Sequence, residues 1–372
     1  MSAGGRGVAT GLMFAAALAP ACGGGGSGGP AAFESVAVCS ATTWQRVAQT
    51  DGSGSALLYR DGLLYYEPSS EVSSAGVPLL AQPVAGGAAA TLQTVPFSAI
   101  GFFAADVWLD GDNIAYTQGD QENQLYSVPI AGGDPQLLLD VGAGRTDAGE
   151  AQLHDLTSTD FVWTESSSAV FGATNVWHAS RAGGAAQQIG AVGDASSSAT
   201  VAAIATIGAE AFVATADGAA YAFALDGSNS GTPRTLATRD DVTQGTFAGL
   251  NDAGAFWLVW PSDGSPAQLA LSPADGSAVR TFWAGLPAHA SVDRIWPDGD
   301  GGWIAIGSEA FQEGSYGEAW AIDAQGHGSR LGCSPPGDVH ALQARPAIAP
   351  DAVYLFLTDL SGQHREIDRI AR

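Results

Sequence analysis

The chain has 372 residues, 46% hydrophobic, 14% charged and 50 of them Gly, a composition with material for a buried core and for many tight turns. Acids outnumber bases 38 to 14, a formal net charge of −24, and every base is Arg. That balance excludes the cationic surface needed for nucleic acid or anionic lipid. The absence of Lys excludes Schiff-base chemistry.

Residues 1–21 read as an export signal. Arg6 supplies a basic start, and 7–21 is apolar and uncharged, centred on Leu12-Met13-Phe14-Ala15-Ala16-Ala17-Leu18. Such a run falls short of the roughly 20 residues a helix needs to cross a bilayer. Ala19-Pro20-Ala21 then leads into Cys22. This junction resembles the lipobox of bacterial lipoproteins, in which the Cys becomes the lipidated first residue of the mature chain. It departs from that family in placing Ala19 three residues before the Cys, with Leu18 one earlier. The other reading is an ordinary signal cleaved after Ala21. Residues 22–32 are Gly-rich and read as a flexible tether. Gly23 directly after the Cys implies, by the same resemblance, the outer membrane. Membrane contact is therefore expected only through an N-terminal lipid.

Residues 33–38 alternate as a strand would. From there a repeating unit runs to the C-terminus. Its clearest copy is the second: Asp106-Val107-Trp108-Leu109, the turn Asp110-Gly111-Asp112-Asn113, Ile114-Ala115-Tyr116-Thr117, a polar loop, 125–130, the turn Ala131-Gly132-Gly133-Asp134, and Gln136-Leu137-Leu138-Leu139. These are four short strands joined by turn residues that tolerate left-handed backbone angles. The second-strand segments of the copies start at Leu63, Ile114, Phe161, Phe212, Phe256, Trp303 and Val353, with gaps of 51, 47, 51, 44, 47 and 50 residues. Glycines of the later turn, at 86, 132, 183, 227, 276 and 326, keep the same step. Two independent markers at one period identify a repeat architecture. The expectation is an all-β, seven-bladed β-propeller of four-stranded antiparallel blades. Six or eight blades are the alternative counts, and 33–372 is a single domain.

The last copy has second and third strands, Val353-Tyr354-Leu355-Phe356 and 365–370, and then the chain ends. Residues 33–38 are therefore expected to supply its missing strand and close the ring, removing an exposed sheet edge. With Cys22 lipidated, Cys39 and Cys333 remain as an even pair in an exported chain, and a disulfide between them is expected beside this seam. The alternative is two free buried thiols.

Ile114-Ala115-Tyr116-Thr117 and Phe161-Val162-Trp163-Thr164-Glu165 resemble the characteristic strand of YWTD and TolB-like propellers. The segment from Tyr126 to Gly133 resembles the strand-to-turn segment of related bacterial secreted propellers. The resemblance spans roughly 54–370 and concerns fold. It departs in two places. Gln118 and Glu165 stand where the family has Asp, and those families are usually six-bladed.

No catalytic, cofactor or metal site emerges from the motifs. The six His (154, 178, 289, 327, 340 and 364) form no close pair at metal-ligand spacing. Asp110-Gly111-Asp112-Asn113 and Asp298-Gly299-Asp300 offer alternating oxygens that could suit Ca²⁺, but both fall at turns where Asp and Gly serve the backbone. No Gly-x-Ser-x-Gly elbow and no phosphate loop is present. Tyr65, Tyr116, Trp163, Trp257 and Trp303 are assigned to packing between blades, while for Trp108 and Trp296, near strand-A ends, a place facing a central channel is left open by the sequence. The expected role is an exported, lipid-anchored, monomeric binding module. Its protein or small-molecule ligand would sit at a loop face or channel mouth, with 68–79, 165–175 and 308–318 as candidate contact loops. The alternatives are a propeller lyase or hydrolase with a channel-mouth site, and an envelope scaffold.

Overall fold

In a computed structural model the described residues are 44–50, 57–66, 76–95, 107–118, 124–141, 143, 151–166, 173–193, 200–238, 240–242, 245–262, 266–285, 290–298, 302–311, 314–334, 345–358 and 365–372. They form seven four-stranded antiparallel sheets. The sheets are the seven blades of a β-propeller. The blades, numbered in chain order, are 58–95, 107–140, 151–192, 201–237, 246–283, 290–333, and 347–371 with Trp44–Thr50. Strands are lettered A to D from the axis outward.

The repeat markers fall where the sequence places them. Ile114-Ala115-Tyr116-Thr117 lies within the B strand Asn113–Gln118, and Gln136-Leu137-Leu138-Leu139 within the D strand Gln136–Asp140. B strands read as unbroken apolar runs because both of their faces are covered; Asp160–Ser166 is buried from Phe161 to Glu165. C strands alternate, and D strands such as Gln136–Asp140 are largely exposed. Burial thus falls from the B strand of each blade to its rim, while along the axis an A strand such as Val201–Ile207 is half-buried throughout. In all seven blades the C–D register shifts at one point, a bulge that increases strand twist.

There is no single core. Seven apolar clusters are distributed one to each junction between neighbouring blades. The aromatic markers Tyr65, Tyr116, Trp163 and Trp257 are at most 1% exposed within them, as expected of packing residues.

The seventh blade is composite, but its fourth strand differs from the sequence expectation. Trp44–Thr50, not 33–38, pairs with Arg365–Ala371 as the outermost strand. Residues 33–38 lie outside the described residues. The closing strand escapes a period-two reading because its register shifts between Arg46 and Ala48, so its burial does not alternate. Trp44 anchors it, buried in the cluster between blades 6 and 7 with Ile306, Leu355 and Ile370. One candidate loop is also corrected. Residues 308–318 belong mostly to a long hairpin, Trp303–Phe311 against Gly314–Ile322, paired out to Phe311 and Gly314.

Candidate functional site: the central channel

The seven A strands enclose a cavity of about 1440 Å³, to which every blade contributes lining residues. The strands are Leu58–Arg60, Val107–Asp110, Ala151–Leu156, Val201–Ile207, Thr246–Asn251, Ala290–Pro297 and Ala347–Ala349. Pairing with the B strands places residues of each A strand along this wall. Tyr59, Trp108, Asp155, Ala205, Gly249, Trp296 and Ile348 stand opposite Leu64, Ala115, Val162, Phe212, Phe256, Ile304 and Val353. All seven line the channel. Of the two strand-A tryptophans, Trp296 is half-buried along this wall, whereas Trp108 is 8% exposed and packs in the cluster between blades 2 and 3.

In this ring Asp155 is the one carboxylate, among three aromatic and three small or aliphatic residues. Its Oδ2 accepts a 2.6 Å hydrogen bond from the backbone N–H of Thr206, on the next blade. Burial pushes the Asp155 carboxyl above its usual range, and its bonding to Thr206 and the positive charge of Arg345 oppose this without cancelling it.

Two arginines share the cavity. Arg345, at the start of blade 7, donates from Nη2 to the carbonyl of Val107 on blade 2 at 3.2 Å, passing the edge of blade 1. Its backbone carbonyl also accepts from the N–H of Leu57 at 2.8 Å. Arg294 of blade 6 leans to blade 5, where Nη1 donates to the carbonyl of Phe247 at 3.2 Å and the guanidinium lies 5.7 Å from the Phe247 ring centre. Both side chains are exposed into the cavity they line. Arg345 stands at the end where A strands begin. Trp260, 44% exposed just beyond the B strand Gly254–Val259, lines the same end. The walls elsewhere are mainly apolar.

Sequence reasoning missed Asp155, Arg294 and Arg345. The signal was present but needed register. The pairing of Asp155 with Val162 sets it on the wall, and the residue types of its own strand do not disclose that pairing.

The other candidates are placed as follows. Cys22 and Cys39 lie outside the described residues. Cys333 ends the D strand Gly328–Cys333, fully buried opposite Glu318. The Asp runs are engaged at the A–B turns. Asp110 receives both Nη groups of Arg181 from blade 3 at 2.8 and 2.6 Å, Asp112 is bonded by Arg60 of blade 1, and Asp298 by Arg372 of blade 7 at 2.9 Å. Asp298 Oδ1 also accepts the N–H of Gly302 at 2.9 Å. These carboxylates clamp neighbouring blades together. Among the described residues no group of three His, Cys, Asp or Glu converges as a metal site. His178 Nε2 lies 2.7 Å from Asp160 Oδ1 within blade 3. Burial pushes the Asp160 carboxyl up, but hydrogen bonds from Thr159 and His178 outweigh it and hold it below the usual range. His154 sits on the A strand next to Asp155, opposite Trp163. At the family's Asp position, Glu165 is 1% exposed and accepts a 2.7 Å bond from Trp163 Nε1, a packing role.

No protein-family model and no curated protein matches the chain. Solved structures do. The β-propeller domain of the trilobed protease from Pyrococcus furiosus, described as having an open velcro topology, superposes with a TM-score of 0.54 at 8% identity, covering 88% of this chain and 96% of that one. A polysaccharide lyase, Uly1, matches at 0.51 and 11% identity, over 86% of this chain and 90% of that one. A structure from a study of two prolyl endopeptidases matches at 0.52 and 8% identity, over 86% of this chain; the match spans 47% of that longer chain. These likenesses concern fold alone. In this chain the two ends of the ring are joined, Trp44–Thr50 pairing with Arg365–Ala371. The molecule is a seven-bladed β-propeller closed by its own N-terminal strand.

Proposed function

We propose that this protein is an exported binding module, held to the outer membrane by a lipid on Cys22, that takes its ligand into the central channel. The observation carrying the channel reading is the break in repetition. Residues that build the ring recur in every blade, whereas Asp155, Arg294 and Arg345 each occur once and converge from blades 3, 6 and 7 on one cavity. Burial, charge and aromatic walls together are the usual makings of a ligand pocket. The export signal and the Cys22 junction support the address, and the strand pattern supports kinship with YWTD and TolB-like secreted propellers. A pair between Cys39 and Cys333 belongs to the same reading.

The second reading is catalysis at the same place. It is favoured by a half-buried carboxyl that burial pushes above its usual range and that feels the positive charge of Arg345, features expected of a proton donor with an anion-stabilising partner.

The test is to fill the channel without touching its polar groups. Ala205, in the ring position of blade 4, is suited to this. Compounds from a chemically mixed set that raise the melting temperature of the wild type are expected to lose that effect on Ala205→Trp. Undiminished shifts on a folded Ala205→Trp would place binding elsewhere.

A further inference from the structure

The ring is closed by one strand, and that strand is lightly held. Trp44–Thr50 is the outermost strand of blade 7, so its ladder runs along one neighbour, Arg365–Ala371, and a bulge interrupts it between Arg46 and Ala48. Trp44 and Thr50 at its ends are buried, and the residues between them are half-buried or exposed. Trp44 seats it in the apolar junction with blade 6. In the middle of this seam stands Asp368, opposite Arg46 on one side and Leu355 on the other, and almost wholly buried. Its Oδ1 accepts no hydrogen bond among the described residues. Arg46, across the seam, is bonded instead to Glu366, and its side chain is largely exposed. Glu366 lies two positions from Asp368 on the same strand and hence on the same face. The face of blade 6 turned to the seam carries Gly317, Ala319, Ala321 and Leu331. The bonded pair Glu318 and Arg330 of that blade is out of step with them, on the face that includes Trp320 and Ile322. Arg369, on the other face of the seam strand, is bonded to Asp351. Among the described residues the charges acting on Asp368 are thus Glu366 and Arg46. Burial first, then repulsion from Glu366, pushes its carboxyl up to about 7 against the attraction of Arg46.

We propose that Trp44–Thr50 is a pH-controlled strap, closed over Arg365–Ala371 while Asp368 is protonated and opening locally, ahead of the rest of the ring, once Asp368 is ionised. The sign follows from burial. A neutral carboxyl can stay in the seam at the modest cost of an unmade hydrogen bond, whereas an ionised one keeps a charge out of water. Opening the strap returns the carboxylate to solvent. The closed seam therefore keeps a proton that the open one has released, across the window from 3.8 to about 7. Closure is unweakened below that window, loses strength as the pH rises through it, and is weakest above it. The strap gives way first because it pairs along one side only. A B strand such as Glu210–Thr215 pairs on both sides and is buried along nearly its whole length. Release uncovers the seat of Trp44 beside Gly317 and the ladder edge of Arg365–Ala371, a template on which another strand can pair.

The experiment is hydrogen exchange on the full chain from about pH 5 to about pH 8, expressed as protection factors so that the intrinsic pH dependence of exchange is removed. The strap is compared with Glu210–Thr215, the B strand of blade 4 on the far side of the ring. Protection of Trp44–Thr50 is expected to fall about tenfold or more over that range and, at its alkaline end, to lie well below that of Glu210–Thr215. Asp368→Asn, which keeps the side-chain shape and cannot ionise, is expected to abolish the fall. Glu366→Gln, which removes the like charge and frees Arg46 for Asp368, is expected to reduce it. Strap protection that does not change with pH overturns the inference, because Asp368 then has no hold on closure. Strap protection equal to that of Glu210–Thr215 at every pH overturns it too, because the strap then opens only with the whole molecule. A fall undiminished in Asp368→Asn or, should that variant not fold, in Glu366→Gln assigns the pH dependence to another group and likewise overturns it.

Discussion

Asp155 and Asp368 are both carboxyls that burial pushes upward, but in different company. Asp155 faces a cavity and a guanidinium. Asp368 lies in the closing seam, on the C strand Arg365–Ala371 opposite Arg46, and is 6% exposed. Burial first, then repulsion from Glu366, raises it to about 7 against the attraction of Arg46. Between its unfolded value of 3.8 and about 7 the folded chain keeps a proton that the unfolded chain has released. Its cost to folding is therefore absent below pH about 4, grows across that window and is complete above about 7. Asp368→Asn is expected to stabilise the protein at pH 8 by about 1–3 kcal/mol and to change little at pH 4. Urea denaturation at the two pH values measures this, and equal effects at both would contradict it. None of this was legible in the sequence. A lone Asp in a strand looks the same whether it faces solvent, a seam or a channel, and only pairing register distinguishes the three.

Among elements, those that repeat were readable and the one that does not was not. B strands announce themselves because two covered faces demand a continuous apolar run, and C–D turns because Gly132 and its counterparts adopt positive φ. The gap at the end of the chain predicted a donated strand. Residues 33–38 alternate more cleanly than Trp44–Thr50, whose bulge disrupts the pattern, so the sequence pointed to the wrong segment. Exposure at the seam now assigns the anchoring role to Trp44, which is 5% exposed and packs so closely that a Cβ on Gly317 would come within 2.8 Å of its ring. Trp44→Ala is expected to cost about 3–5 kcal/mol by chemical denaturation, the usual range for a buried Trp. A loss below about 1 kcal/mol would mean that the strand contributes little to closure.

For the whole molecule, stability is spread over seven equivalent junctions, and closure makes each junction depend on the others. That economy explains why composition and period revealed the architecture and little else: nearly every apolar residue is spent on the ring. Asp155, Arg294 and Arg345, on the channel wall, are residues that this repetition does not account for. The N-terminal address is tested by mass spectrometry of membrane-extracted protein without reductant. The expected result is a lipid on Cys22 and a peptide linking Cys39 to Cys333; an unmodified Cys22 and free thiols would contradict it.

The central claim is that ligand occupies the axis rather than the rim. Hydrogen exchange on the protein with and without a bound ligand tests it most directly. Added protection is expected in the innermost strands, above all Ala151–Leu156, Ala290–Pro297 and Ala347–Ala349. Protection confined to outer strands such as Gln136–Asp140, with the inner strands unchanged, would contradict it.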